Sequence, residues 1–122
     1  MGLLDPWSRR AISRREGRVD FLGEQSGSAE DTFKRELILE FATRPDIRRA
    51  YLAHVSFDAA VGEPAVALCI LSRRPDDQAI VSRVGEIFAR RFSKDAPLDI
   101  LFITNEQDVE LARVCRPFYS IG

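Results

Sequence analysis

Four groups of residues in this 122-residue chain have the types that chemistry or recognition requires. Glu24 and Gln25 follow the apolar pair Phe21 and Leu22, where a loop can present a carboxylate and an amide to a ligand. The competing structural reading is that Glu24 bonds backbone amides in the turn at Gly23. His54, the sole histidine, has the side chain suited to proton exchange near neutral pH, yet no carboxylate stands beside it in sequence to orient it as a general base. Asp99 interrupts the apolar run from Leu98 to Ile103. If buried it demands a partner, and Arg48 or Arg49 qualifies if their strands adjoin; at the strand entrance beside Pro97 it is solvated instead. Tyr51, Arg116, Phe118 and Tyr119 combine aromatic and guanidinium groups of the kind enriched at binding hot spots, although large apolar residues after a helix stop also fold back to cover a core.

Several chemistries have no footing in this sequence. One histidine and two well-separated cysteines, Cys69 and Cys115, make no zinc-site spacing, so neither a metal site nor a disulfide is expected. There is no Gly-x-x-x-x-Gly-Lys loop, no Gly-x-Gly-x-x-Gly and no Gly-x-Ser-x-Gly. No catalytic residue and no cofactor are therefore assigned. A formal net charge of −1 and only two lysines, Lys34 and Lys94, argue against nucleic acid as a partner. No apolar run approaches the ~20 residues of a membrane span, and the N-terminus lacks a signal-peptide core. The expected location is the cytoplasm, where two small thiols stay reduced.

Short strings in fixed order carry more information than any of these residues alone. FLGEQ at 21–25, RRAYL at 48–52, LDILFI at 98–103 and CRPFY at 115–119 together resemble the C-terminal domain of the enhanced-serine-sensitivity (SseB) family of bacteria, over almost everything after residue 18. The resemblance implies a fold and no chemistry, because the family is named for a cellular phenotype; the name itself implies a link to serine or sulfur metabolism. No catalytic residue carries over to any position here. Longer family members carry a further domain ahead of this one, and in this chain an Arg-rich segment stands in its place.

That segment, residues 1–18, reads as an arm or short amphipathic helix, with Arg9, Arg10, Arg14, Arg15 and Arg18 against Asp5 and Glu16, and with Leu3, Leu4, Trp7 and Ile12 interspersed. Trp7, Arg9, Arg10 and Arg14 are the expected partner contacts, and the acidic residues Glu106, Asp108 and Glu110 are a possible counterface. Residues 19–122 then form a single domain. After a short strand at 19–22, Ser28 with Asp31 makes a capping box for a helix carrying Phe33, Leu37, Ile38 and Phe41 and running to Arg44, before Pro45. Residues 47–57 alternate, with Tyr51, Ala53, Val55 and Phe57 on one face and Leu52, His54 and Ser56 on the other. A loop with Gly62 leads to the unbroken apolar run 65–71, which suits a central strand covered on both faces. Asp76 and Asp77 precede a helix bearing Ile80, Val84, Phe88 and Phe92 and ending near Ser93. Residues 98–103 form the next strand, and Thr104 or Asn105 caps a last helix carrying Val109, Leu111, Ala112 and Cys115, with Pro117 as its stop.

The predicted architecture is α+β: a small mixed sheet, made of a hairpin plus a βαβ unit, packed with three helices in the order (β)-α-β-β-α-β-α. The expected function is a non-enzymatic domain that binds a protein partner or a second copy of itself through a sheet edge, the arm, or both. Its candidate binding residues are Glu24, Gln25, Tyr51, Asp99, Arg116 and Tyr119. The alternative is a small-molecule binder or enzyme that brings Glu24, His54 and Asp99 into one concavity.

Overall fold

A computed structural model describes residues 11–12, 19–57, 65–93 and 96–121. The order is β1 (Ala11–Ile12), β2 (Val19–Glu24), α1 (Ser28–Phe41), β3 (Ile47–Phe57), β4 (Ala65–Ser72), α2 (Gln78–Ala89), β5 (Asp99–Phe102), α3 (Asn105–Ala112) and β6 (Tyr119–Ser120). They build one mixed sheet in the order β1-β5-β4-β3-β2, with β6 added to β3. The α+β class and the order of the main elements are as the sequence predicts, with two-residue strands added at either end of the order. Trp7, Arg9, Arg10 and Arg14, like Leu3 and Leu4, lie outside the described residues, as does the loop containing Gly62.

Alternation along β3 is what divides the core. Antiparallel pairing of β3 with β4, from Val55 opposite Ala65 to Ile47 opposite Ser72, sets Ala50, Leu52, Leu68 and Ile70 on one face and Tyr51, Ala53, Ala67 and Cys69 on the other. The first face packs against Phe33, Leu37 and Phe41 of α1 and Ile80, Val84, Ile87 and Phe88 of α2, whereas the second meets Leu111 and Cys115 at the short α3. β4 lies between β3 and the parallel strand β5, so its apolar run is buried on both faces. The hairpin and the βαβ unit are both present.

The helix ends depart from expectation in instructive ways. Gly27, not Ser28, occupies the cap of α1 at φ 148°, without a side-chain hydrogen bond to the helix. That backbone turn belongs to glycine and starts the helix one residue early, leaving Ser28 inside it, so the Ser28–Asp31 capping box does not form. At its other end α1 stops at Phe41 rather than Arg44, and the Thr43 hydroxyl donates to the Glu40 carbonyl at 2.7 Å. Asp77 caps α2 by accepting from the Ala79 amide at 3.0 Å. α2 ends at Ala89, but a further turn brings the Phe92 ring onto Phe88 with centroids 4.5 Å apart. Thr104 and Gln107 close a reciprocal capping box on α3.

Of the apolar residues at α3, Leu111 and Cys115 reach the core and Val109 and Ala112 do not. Val109 is 57% exposed and Ala112 is exposed, while Asp108 (7%) and Leu111 (0%) face the sheet. A carboxylate occupies the buried stripe because β3 supplies it with hydrogen-bond donors.

Candidate functional site

Those donors come from alternate residues of β3, which project to the same face. Asp108 accepts from Arg49 Nε at 3.0 Å, from Arg49 Nη2 at 2.8 Å and from the Tyr51 hydroxyl at 2.7 Å. Burial works to raise the Asp108 pKa, but the bonds from Arg49 and then Tyr51 outweigh it and hold the carboxyl below the usual Asp range. Tyr51 moves the other way, raised first by burial and then by its bond to Asp108. A carboxylate already accepting from two partners and a phenol that resists ionisation are poor proton carriers near neutral pH, so the trio binds α3 to the sheet. The same arrangement removes Asp108 from any acidic counterface for the arm.

A second group gathers on the outer edge of β3, which β2 pairs from Ala53 onward and β6 pairs at Arg49 and Ala50. In the gap the Leu52 carbonyl accepts from the Gln25 amide at 3.0 Å, with the Cys115 thiol at 3.6 Å. Glu24 meets Lys34 of α1 at 3.3 Å. Its partner is thus an ammonium rather than the amides of the Gly23 turn. Gln25 donates through Nε2 to Glu30 at 2.7 Å. Burial pushes the Cys115 thiol up to about 11, and Cys69, fully buried in β4, is raised by burial as well, so neither is an activated nucleophile.

The remaining candidates are dispersed. His54 is half-buried on β3 between Gly23 and Val66. Asp99 opens β5 opposite Ala67, also half-buried. Because β4 separates β3 from β5, the condition for an Arg48 or Arg49 partner to Asp99 is not met, and Arg49 is taken by Asp108. Arg116 is exposed. Tyr119 pairs with Ala50 and donates its hydroxyl to the Phe41 carbonyl at 3.2 Å, on the α1 face, opposite the face that holds Tyr51. Phe118 stacks near Phe41 with centroids 6.4 Å apart, so the tail covers the core.

A cavity of about 180 Å³ opens between α1, the end of α2 and the approach to β5, lined by Phe33, Leu52, Val66, Phe88, Phe92 and Leu98 with Gln25 and Glu30 as its polar members. A shallower groove of about 250 Å³ runs beside β2, between Val19 and Phe21 and the end of α3, where Glu110, Arg113 and Val114 line it. Neither cavity, nor those at Leu39 and Ser72, brings together two of Glu24, His54 and Asp99. Among the described residues no cluster of His, Cys, Asp or Glu could hold a metal ion, and no helix is long and apolar enough to cross a membrane.

A mixed sheet with two helices on one face and one on the other makes the described residues a small α+β domain. The chain belongs to the SseB protein C-terminal domain family, whose model matches residues 22–120. No curated protein and no solved structure matches it.

The Arg49–Tyr51–Asp108 trio is the feature that sequence reasoning missed. Its signal was available: with Thr104 as cap, Asp108 lies three residues before Leu111 and seven before Cys115, on the stripe facing the sheet.

Proposed function

We propose that this domain binds an extended strand, from a protein partner or from a second copy, along the outer edge of β2. The observation that carries the reading is the position of β2 at the end of the sheet, with no strand on its outer side among the described residues and with Leu22 51% exposed. An edge of this kind supplies backbone hydrogen bonds, and the neighbouring groove lined by Val19, Phe21 and Val114 supplies a place for alternate side chains of the added strand. Trp7, Arg9, Arg10 and Arg14, on either side of β1 in sequence, are assigned to a partner contact of their own, because β1 lies at the opposite end of the sheet from β2. Exposed Arg116 is assigned to the rim of the β2 contact, whereas Glu24, Gln25, Tyr51 and Tyr119 act by holding the edge and its supports in place. The setting of this binding is the cytoplasm, and its link to serine or sulfur metabolism rests on the family's name.

A lysine on the edge strand tests this reading, because a charge there opposes pairing without disturbing the core. Leu22→Lys should lower self-association measured by light scattering, or stoichiometric capture of a defined partner, by about tenfold while the melting temperature holds. Association equal to that of the unsubstituted chain would remove β2 from the interface. The enzyme reading is built on Glu24, His54 and Asp99, and among the described residues none of the four cavities named gathers two of them.

A further inference from the structure

We propose that the cavity between α1, α2 and β5 is a binding site for a small apolar ligand that ends in a cationic or other N–H donor group. The inference is independent of the β2 edge and rests on three observations. The first is size: this cleft, open to solvent on one side, has about 180 Å³, on the scale of the roughly 150 Å³ that a single benzene ring occupies in an apolar cavity. An occupant that fits it binds by removing the apolar lining from water and by making close contacts with it.

The second is the wall. Phe33 meets Phe88 edge-on at 5.4 Å and 74°, and Phe92 at 5.8 Å and 84°, while Phe88 and Phe92 stack. Each ring fixes the orientation of the other two, and the cleft between them and Leu52, Val66 and Leu98 presents aromatic and aliphatic surface to a flat or branched guest.

The third is the single polar end. Gln25 is fixed by its own amide bond to the Leu52 carbonyl, and its side chain donates to Glu30 Oε2. That is the one hydrogen bond the Glu30 carboxylate accepts among the described residues, against a capacity of about four. A carboxylate beside an apolar cleft with unused acceptor capacity selects a donor, best an ammonium, and repels an acid. Ligand size is limited to one ring or a short branched chain.

Benzylamine, toluene and benzoate are the probes, titrated against the full chain with saturation-transfer NMR. Benzylamine should bind at least tenfold more tightly than benzoate, and Glu30→Gln should abolish that preference while leaving toluene binding in place. Val66→Phe and Ala96→Leu each fill the cleft and should eliminate binding of all three, with thermal melts identifying whichever variant remains folded. The proposal is overturned if no probe binds at millimolar concentration, if benzylamine and benzoate bind equally, or if a folded cleft-filling variant binds benzylamine as well as the original chain does.

Discussion

The Tyr51 hydroxyl donates to Asp108 Oδ1 at 2.7 Å, joining the middle of the sheet to the only helix on that face among the described residues. Asp108 is 7% exposed, and the opposite side of its carboxylate is held by Arg49. A buried carboxylate is tolerated only while its donors remain. Tyr51→Phe should therefore destabilise the domain by about 1–2 kcal/mol, the scale of a hydrogen bond to a charged group. Asp108→Ala, which strands both donors, should cost about 3 kcal/mol. Urea melts of the two single variants and the double variant test this, and non-additive losses are expected because both residues belong to one network.

The same pair shapes the acid limb of stability. Asp108 has a lower pKa in the folded chain than in the unfolded one, so its contribution is complete above the ordinary Asp value of about 3.9 and is lost as pH falls through the folded value. Glu40 adds to this limb with the same sign, its carboxyl lowered first by the Arg83 bond and then by Arg44 against an opposing effect of burial. Melting temperatures between pH 7 and pH 3 should fall, and in Asp108→Asn the fall should be shallower. An unchanged slope in that variant would remove Asp108 from the titration.

On each face of the sheet one residue reports the core. Phe88 belongs to the face covered by α1 and α2, Leu101 to the face covered by α3, and both are buried. Truncation of either to alanine should cost about 2–5 kcal/mol in denaturant melts, a large part of the stability of a domain this size. A loss under about 1 kcal/mol at both positions would contradict the packing described.

Neither thiol should react in the native state at the rate of a free cysteine, since Cys69 and Cys115 are buried and both thiols are raised above their usual pKa. Alkylation at pH 8 followed by intact mass should show slow labelling at Cys115, still slower labelling at Cys69, and rapid labelling of both after unfolding. A two-proton mass loss reversed by reductant would overturn the free-thiol assignment.

What was legible in the sequence is what period and run length encode. Alternation in Ile47–Phe57 and the unbroken apolar character of β4 identify a hairpin with a doubly covered strand, and four-residue spacing identifies the buried faces of α1 and α2. Information that depends on distant pairing is absent from such patterns. Arg49 and Asp108 are 59 residues apart, and an Asp in a short helix reads as solvated until the strand opposite it is known. Glu24 likewise finds Lys34 only because β2 ends beside α1. Residue type alone does not fix the phase of α3, because Val109 and Ala112 are as apolar as Leu111 and Cys115, and the polar trio sets which of them face the sheet.

The outer edge of β3 is shared end to end by β2 and β6, so one side of a single strand is completed by two segments from opposite parts of the chain. During synthesis β2 is available before β3 emerges, whereas β6 follows only after β4, α2, β5 and α3 have been made. Through that interval the Arg48 and Ala50 carbonyls, which β6 and its neighbours later occupy, face whatever surrounds the ribosome. The nascent chain is thus open along β3, the neighbour of the central strand β4, until the tail closes over Phe41.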